Sequence, residues 1–458
     1  MAKKINIRKH LCADALTKQL KSCFDEIHDH RAKNTQFSLP NVLMSAYAMF
    51  SLKCGSLLQF DKQRKELDKL ENIKSLFKVE NVPCDSQMRN ILDEVDPEKL
   101  RPAFTEIFAQ LQRGKVLEKM TYFCDYHILS IDGTEIFSSE KNFSDSCLSK
   151  TLRSGQIMYH QQMLGAAIVH PERKEVIPLC PEMIIKQDGN DKNDCERNAA
   201  KRFLKKFRNE HPHLKTIVVE DALASNAPHI NELKKHDCKF VLGVKPDGNK
   251  FLFDYVENAI QEKSGKVVEC EIEEISTHNG KGQKRKKDIK IIHKFRFMND
   301  VPLNESNQDI NVNFMDYQQI EDGEGTIHFS WITDFEITKQ NCYKLMRVGR
   351  ARWRIENEIF NTLKNQGYNL EHNYGLGKKH LSTNFILLTM LAFLIDQIQQ
   401  LCCPLFQAAL EKLGGKKYLW EDIRSLFRYF KFESMEMLYK AILKGFVLKP
   451  PELIEDTS

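Results

Sequence analysis

The sequence predicts a mixed α/β fold with helical regions at both ends of the chain, and three observations support this. Short apolar segments typical of strands lie close together at 128–132, 161–170 and 175–179. Helix-like and strand-like segments then alternate from residue 193 to residue 245. Residues 1–120 and 401–458 carry apolar side chains at helical spacing instead. A chain of 458 residues, 41% of them hydrophobic, can form several structural units around a sizeable core.

The helical interpretation of residues 1–120 rests on capping residues and on apolar spacing. Asp85 or Ser86 is a candidate cap for a helix that runs to Val95, and Pro97 opens the next helix. The apolar residues of that next helix recur at helical spacing: Leu100, Phe104, Ile107, Phe108 and Leu111. This pattern predicts helices that each bury one face.

The segments after residue 121 predict a sheet with strands of both directions. The turn at 171–174 joins two strands so closely that we expect them to form an antiparallel pair. An amphipathic helix at 193–209, a strand at 215–220, a helix at 228–235 and a strand at 240–245 follow. The order β-β-β-α-β-α-β predicts a mixed sheet with helices on its faces.

Residues 249–334 interrupt this alternation. They are polar and Lys-rich, and the segments 287–297 and 326–333 alternate in polarity, so we interpret the whole stretch as a β-rich insertion. Helices are expected afterwards at 340–365 and 382–400. The tail 401–458 is expected to be helical as well, with a break at Gly414 and Gly415.

Composition excludes several classes of protein. A net charge of +5 and 28 Phe residues are unlike a disordered chain. The basic N-terminus lacks the apolar run of a signal peptide, and the longest strongly apolar stretch, 385–395, is too short to span a membrane. The 13 cysteines include no C-x-x-C pair, which favours reduced thiols in a cytoplasmic protein over a zinc ribbon.

Two segments are strongly basic. Residues 281–296 contain eight Lys or Arg and one acid, and residues 339–354 contain six Lys or Arg and no acid. Clusters of this kind suit a polyanion such as nucleic acid, although a solvated surface produces the same pattern.

Two candidate catalytic acids end apolar strands. Asp132 follows the strand at 128–132 and Asp221 follows the strand at 215–220. Ligands of open α/β sheets gather at the carboxyl ends of strands, although an Asp in this position is also a common turn starter or helix cap.

Glu356 is the third candidate acid, and helix geometry indicates it. If residues 345–365 form one regular helix at about 100° per residue, Glu356 points from the middle of an apolar stripe that includes Trp353. Glu358 then falls on the polar side. A carboxylate in such a stripe is unfavourable unless it is paired or bound to a cation. An ion pair with Arg352, four residues earlier, is the structural alternative.

Three converging carboxylates without a Cys/His set favour a hard ion, Mg²⁺ or Mn²⁺. Two such ions at one site catalyse phosphoryl transfer, because one activates the attacking oxygen while the other stabilises the leaving oxygen. Without metal, the clustered carboxylates would repel one another and raise their pKa values.

The segment 350–368, RARWRIENEIFNTLKNQGY, resembles the third-acid helix of DDE transposases from bacterial insertion sequences. Those proteins carry an Arg, then Trp-x-Ile-Glu, then Phe and Leu-Lys. The segments 131–134 (IDGT) and 218–221 (VVED) resemble the strands that carry their first and second acids. The β-rich stretch resembles the insertion of one branch of the family. The resemblance extends over residues 128–384.

The resemblance implies an RNase H-like core divided by the insertion. The core would comprise residues 121–248 and 335–400, with the insertion at 249–334, a helical region at 1–120 that binds DNA ends, and a helical tail at 401–458. It implies that Asp132, Asp221 and Glu356 form a metal-binding triad for two Mg²⁺ ions, with Mn²⁺ as a possible substitute.

The resemblance also implies the activity and the partners. The protein would bind terminal inverted repeats in double-stranded DNA, cleave at the element ends and join 3′-hydroxyls to target DNA by cut-and-paste transposition. It would work as a homodimer in a synaptic complex, in the bacterial cytoplasm, associated with the nucleoid when bound to DNA and with no membrane.

The resemblance implies DNA-backbone contacts for Arg352 and Lys364, and Trp353 is a further candidate DNA contact. The insertion residues Lys284, Arg285, Lys286 and Lys287 are either DNA-backbone contacts or a solvated hairpin tip. The sequence departs from the family pattern in two places. Gly349 stands where the family has Tyr, and Lys364 follows Glu356 by eight positions, one more than the commonest spacing. The longer spacing leaves Glu358 as an alternative third acid, with Arg354 four residues before it, whereas the wheel favours Glu356.

Other interpretations are a catalytically silent DNA-binding protein derived from a transposase, and a phosphatase. The segment 130–134 is similar to the Asp-x-Asp-Gly-Thr loop of haloacid-dehalogenase-type phosphatases, but Ser130 replaces the nucleophilic Asp. Trp331 is either a core residue or a base-stacking residue of the insertion, and a core position is favoured.

Overall fold

The computed structural model describes residues 9–32, 34–144, 147–186, 192–279, 286–321 and 324–445. Contacts divide the chain into two compact units. The helical unit comprises the described residues of Met1–Gly114 and Leu363–Ser458, and the sheet unit comprises those of Lys115–Thr362. The mixed α/β class is confirmed.

The N-terminal part of the helical unit is built as expected from capping and apolar spacing. Its helices are α1 (Ala13–Asp25), α2 (Leu39–Ser51), α3 (Leu57–Arg64), α4 (Leu67–Phe77), α5 (Asp85–Asp93) and α6 (Arg101–Arg113). Pro97 opens a short 3₁₀ turn, Pro97–Leu100, that leads into α6. The apolar stripe of α6 is buried, which confirms the periodicity argument.

The sheet unit begins with the strands that carry the first two candidate acids. These strands are β1 (Thr121–Phe123), β2 (Tyr126–Ser139), β3 (Leu148–Thr151), β4 (Ile157–Val169), β5 (Ile177–Pro178), β6 (Glu182–Ile184), β7 (Thr216–Glu220) and β8 (Lys239–Val244). Helices α7 (Lys192–Glu210) and α8 (Ala227–Lys235) lie between β6 and β8 in the chain. Strand β2 pairs antiparallel with β4 and parallel with β7, and β7 is parallel to β8. The expected mixed sheet is confirmed.

The insertion differs from its prediction at its start. Residues 249–261 were expected in a β-rich stretch but form helix α9 (Lys250–Gln261), because Leu252, Val256 and Ala259 recur at helical spacing and are buried. Strands β9 (Val268–Asn279), β10 (Lys286–Asn304), β11 (Asn307–Glu321) and β12 (Glu324–Thr333) follow. Strand β12 pairs with β8, so the insertion extends the core sheet to 12 strands.

The segment around Glu356 is not the single regular helix that the wheel assumed. Helix α10 (Cys342–Arg350) ends in a turn at Ala351 and Arg352. A π-helical segment, Ile355–Phe360, follows and leads into α11 (Asn361–Asn365). Isolated π-helical turns inside helices are frequent at functional sites, because their wider hydrogen-bonded ring displaces the side chains that follow.

The C-terminal part of the helical unit consists of α12 (Leu381–Cys402), α13 (Pro404–Leu413), α14 (Lys416–Tyr429) and α15 (Met435–Lys444). Gly414 ends α13 at a φ of 72°, as the predicted break requires. Residues 363–400, expected in the second part of the catalytic core, group with the helical unit. The reason is that α12 is buried on nearly all sides, against α1, α2 and α5.

Helix α12 is, within the described ranges, the one helix whose length and composition would allow it to cross a membrane. Of that apolar stretch, 89% is buried inside the protein. The core helix of a soluble protein meets the same criterion of length and composition, so this helix is weak evidence for a membrane span.

A buried ion pair connects the two chain segments of the helical unit. Lys53 donates to Asp396 at 2.5 Å, the hydroxyl of Tyr368 donates to the same carboxylate at 2.6 Å, and the ammonium lies 3.8 Å from the Trp420 ring. The Lys53 side chain is 1% exposed. Removing one partner of such a pair leaves an uncompensated buried charge.

We therefore expect Asp396→Asn to destabilise the helical unit by about 3 kcal/mol or more. Urea unfolding followed by circular dichroism measures this. Lys21→Ala is the matched control. Because Lys21 pairs with Asp25 on the surface, this substitution should lower the free energy of unfolding by less than about 1 kcal/mol. Equal losses from the two substitutions would contradict the structural role of the buried pair.

Candidate active site

Asp132 lies on β2 at the point where the parallel part of the sheet ends. The pairing of β2 with β7 stops at Ser130, opposite Val219, whereas the pairing with β4 continues through Asp132 to Ser139. The prediction that the strand ends at Asp132 is therefore wrong, because β4 supports the additional residues. Asp132 still projects from the carboxyl-terminal edge of the parallel strands, where ligands bind.

Asp221 occupies the same edge because β7 is the parallel neighbour of β2. It directly follows β7 and caps a short 3₁₀ turn, Ala222–Ala224, by accepting a hydrogen bond from the Leu223 amide at 2.9 Å. Asp221 is exposed, and it lines a small cavity together with Asp132. The capping role and a ligand role are compatible, because a carboxylate has several lone pairs.

A glycine allows the segment that carries Glu356 to approach these strands. Gly165 on β4 lies directly opposite Asp132, and a Cβ atom on residue 165 would lie 2.7 Å from Cε1 of Phe360. The ring of Phe360 therefore packs where a side chain would otherwise project from β4. This contact places the π-helical segment against the strand pair that carries Asp132.

Arg352 connects two of the three acids. Its Nη1 atom donates to Oε1 of Glu356 at 2.7 Å and to Oδ2 of Asp132 at 3.2 Å. Its own carbonyl accepts a hydrogen bond from the Ser130 hydroxyl at 3.1 Å, which ties the turn to β2. The ion pair expected as the structural alternative is present, and it includes Asp132 as well.

The surroundings of Asp132 at this edge of the sheet disfavour its ionised form. Burial raises the pKa of Asp132 to about 7; Arg352 opposes the rise, while the negative charges of Glu356 and Asp221 add to it. All three candidate acids thus interact electrostatically. Glu358 lies apart from this group in an ion pair with Arg354 at 3.1 Å.

The residues fit a divalent ion by their chemistry but are not arranged around one. Within the described part of the chain, no three His, Cys, Asp or Glu side chains are grouped so as to hold a metal ion. The guanidinium of Arg352 lies between Asp132 and Glu356 instead. Carboxylate oxygens are the ligands that Mg²⁺ and Mn²⁺ prefer, so Asp132, Asp221 and Glu356 form a suitable donor set once the guanidinium moves.

The raised pKa predicts an inverse dependence of stability on pH for the metal-free protein. Between the usual pKa of Asp near 4 and about 7, the folded state holds a proton that the unfolded chain releases, so stability falls as pH rises through this window. We expect Asp132→Asn to flatten this dependence and to stabilise the protein at pH 8 by up to about 4 kcal/mol. Urea unfolding at pH 5 and pH 8 measures it, and parallel curves for the two proteins would contradict the shift.

A small cavity beside Asp132 and Asp221 contains polar residues that sequence reasoning did not single out. Glu196 from α7 and His229 from α8 line it, together with Glu220. His229 and Glu220 are both buried and form a hydrogen bond of 2.5 Å. The sequence indicated only an amphipathic helix for α7 and a helix for α8, because their contact with the strand ends is long-range.

A larger cleft of about 820 Å³ lies between the insertion and α10. The basic residues Arg347, Arg350 and Arg354 line it, and Glu274 is the one acid among its lining residues. Trp353 also lines the cleft and is 43% exposed, so its predicted place in the buried stripe is wrong. The regular wheel misplaced it because the helix is interrupted at residues 351 and 352.

Trp331 is a core residue, as favoured, with 5% of its surface exposed. A Cβ atom on residue 349 would lie 2.5 Å from Nε1 of Trp331. The glycine at this position is therefore explained by the close approach of the indole ring to α10.

The remaining predicted DNA contacts are dispersed. Lys284 and Arg285 lie outside the described residues. Lys286 and Lys287 are the first two residues of β10, and only their backbone is described. Further along β10, Lys290 and Lys294 form ion pairs with Glu273 and Glu271. Those two lysines therefore fit a solvated surface better than a free basic face. Lys364 belongs to the helical unit and pairs with Glu371 at 2.9 Å.

Comparisons with known proteins identify the family of the chain. The model of the transposase DDE domain matches residues 156–394, just over half of the chain, and this range includes Asp221 and Glu356. No curated protein matches the chain. One similar solved structure is a piggyBac transposase in a synaptic complex with hairpin DNA, at 11% identity over 98% of this chain and 86% of that one. Its TM-score of 0.39 is too low to support an inference. On the strength of the domain match, the chain belongs to the DDE transposase family.

Proposed function

We propose that this protein is a metal-dependent DNA transposase that binds the ends of its element, cleaves DNA strands there and transfers the 3′-hydroxyl ends to target DNA. The observation that carries the proposal is the electrostatic convergence of Asp132, Asp221 and Glu356 at one edge of the sheet, with Arg352 bonded to two of them. Membership of the DDE transposase family supports the reaction class.

In this proposal the three acids hold two Mg²⁺ ions, or Mn²⁺ in their place. Bound ions of this kind supply activation of the attacking water or 3′-hydroxyl and stabilisation of the leaving oxygen. The chain itself contributes position and charge. Strands β2 and β7 fix Asp132 and Asp221 on a rigid sheet edge, and the packing of Phe360 on Gly165 fixes the segment of Glu356.

The basic cleft supports DNA binding by the sheet unit. Arg347 and Arg350 suit phosphate, and the exposed Trp353 offers a flat ring for an unpaired base. Arg352 and Lys364 are proposed backbone contacts, as are Lys284, Arg285, Lys286 and Lys287. The helical residues 1–120 are proposed to bind the element ends, with a homodimer joining two ends.

Strand cleavage of element-end DNA tests the proposal. We expect Mg²⁺-dependent nicking that a chelator abolishes and that Asp132→Asn reduces at least about a hundredfold, the effect of losing about 3 kcal/mol of transition-state stabilisation. Binding of end DNA without any nicking, in Mg²⁺ and in Mn²⁺, would instead establish a catalytically silent DNA-binding protein.

A further inference from the structure

We propose that Arg352 is a resident counter-ion of the acid site, and that its displacement couples the loading of divalent metal to the binding of DNA. The inference rests on the proposed function, since it assumes that Asp132 and Glu356 bind metal. It adds an order of events that neither the family nor the triad implies. The free protein binds metal weakly, and bound DNA raises the metal affinity of the site.

The bonding geometry shows what the guanidinium does in the metal-free protein. One nitrogen, Nη1, donates to both Asp132 and Glu356, at 3.2 and 2.7 Å. The Arg352 side chain is 14% exposed, and the two carboxylates are 24% and 35% exposed. A positive charge shared by two partly buried carboxylates offsets their mutual repulsion.

A divalent ion and this guanidinium compete for the same oxygens. A metal bound by Asp132 and Glu356 needs lone pairs that now accept hydrogen bonds from Arg352, and the two cations would repel each other at such short range. Metal can therefore enter only as Arg352 leaves. The free energy of breaking both hydrogen bonds is subtracted from the metal affinity of the free protein.

The Arg352 side chain also contacts the ring of Trp353, outside the acid group. Arg352 lies in the turn between α10 and the π-helical segment, and its guanidinium carbon is 4.6 Å from the centre of the Trp353 ring. Trp353 also lines the basic cleft, so DNA bound in that cleft would reach the ring that Arg352 contacts. A DNA phosphate there would accept the hydrogen bonds that the carboxylates lose.

The consequence is reciprocal coupling. If phosphate holds Arg352 away from the acids, DNA raises the affinity for metal, and metal raises the affinity for DNA by the same factor. A static ion pair that only stabilises the fold predicts something different. In that case, loss of Arg352 would weaken the acid site or leave its metal affinity unchanged.

The test is Mn²⁺ binding to the full-length protein, measured by electron paramagnetic resonance without any cleavage. In the absence of DNA we expect Arg352→Gln to bind Mn²⁺ about 5- to 100-fold more tightly than the unmodified chain. Arg352→Lys keeps the charge without the forked geometry and should fall between them. Arg354→Gln is the matched control, because Arg354 pairs with Glu358 at the same spacing and leaves the acids untouched.

Duplex DNA provides the second arm. It should tighten Mn²⁺ binding to the unmodified chain by a similar factor and should have little effect on Arg352→Gln. Unchanged or weaker Mn²⁺ binding by both Arg352 variants, with folding verified by circular dichroism, would overturn the counter-ion role. Asp132→Asn tests the metal site independently of the counter-ion role of Arg352. If this variant binds Mn²⁺ as tightly as the unmodified chain, the metal site of the proposed function is itself wrong.

Discussion

Glu356→Gln is expected to abolish metal-dependent strand cleavage, whereas Glu358→Gln should leave it within a fewfold of the unmodified rate. Glu356 shares Arg352 with Asp132 and acts electrostatically on Asp132, so its carboxylate belongs to the proposed metal site. Glu358 forms a separate pair with Arg354. The amide keeps the shape of the side chain but loses the anionic ligand, and a loss of about 3 kcal/mol or more corresponds to at least a hundredfold.

Single-turnover cleavage of element-end DNA in Mg²⁺ measures this difference. The two variants form a matched pair, because they remove the same charge two residues apart within one π-helical segment. DNA binding in a chelator should be similar for both, which separates catalysis from recognition. Loss of cleavage with Glu358→Gln and retention with Glu356→Gln would reverse the assignment of the third acid.

Gly165→Val is the second substitution with a large expected effect. A Cβ atom at residue 165 would already lie 2.7 Å from Phe360, so valine must push the ring and the segment of Glu356 away from β4. Overpacking of this kind costs about 1–3 kcal/mol of stability. The cleavage rate should fall by much more than the loss of folded protein explains, because a shift of about 1 Å in a catalytic group lowers the rate about a hundredfold.

Unfolding and cleavage assays on the same preparations measure both effects. Gly248→Ala is a suitable control, because a Cβ atom there meets only a backbone oxygen at 3.9 Å. The double variant Gly165→Val with Phe360→Ala removes the clash and should recover part of the stability. Full cleavage activity of Gly165→Val would show that the Phe360 contact does not position Glu356.

The sequence predicted the elements of this protein better than their long-range contacts. Apolar runs that lead to an Asp are local patterns, and they indicated both Asp132 and Asp221, although only Asp221 follows the end of its strand. The packing of Phe360 on Gly165 joins residues far apart in the chain, and nothing local indicates it. The same holds for Glu196 and His229, because the sequence predicted only the helices that carry them.

The interruption of the third-acid helix is the most informative difference. A wheel of about 100° per residue anticipated the Arg352–Glu356 pair, but it wrongly placed Trp353 in the core. Its assignment of Glu356 to the buried stripe and Glu358 to the polar side is also wrong, because the Glu356 side chain is 35% exposed and that of Glu358 is 18% exposed. The π-helical segment Ile355–Phe360 contains Glu356 and precedes Lys364, and the spacing of these two residues exceeds the commonest family spacing by one. Hydrogen bonds to the fifth residue instead of the fourth accommodate one extra residue in a turn.

The insertion shows the same limit of local patterns. Alternating polarity predicted its strands, but not that β12 would pair with β8. Strand β8 would otherwise expose an unpaired edge, and the insertion covers it with a continuous sheet. The basic cleft between this added sheet and α10 could not be anticipated, because it depends on that pairing.

The central claim is that Asp132, Asp221 and Glu356 hold divalent metal when DNA is bound. Anomalous diffraction from crystals of the protein with end DNA and Mn²⁺ tests it most directly. The claim predicts Mn²⁺ peaks about 2.1 Å from carboxylate oxygens of these three residues, with Arg352 turned away from them. Mn²⁺ peaks coordinated elsewhere, with Arg352 still bonded to Asp132 and Glu356, would contradict it.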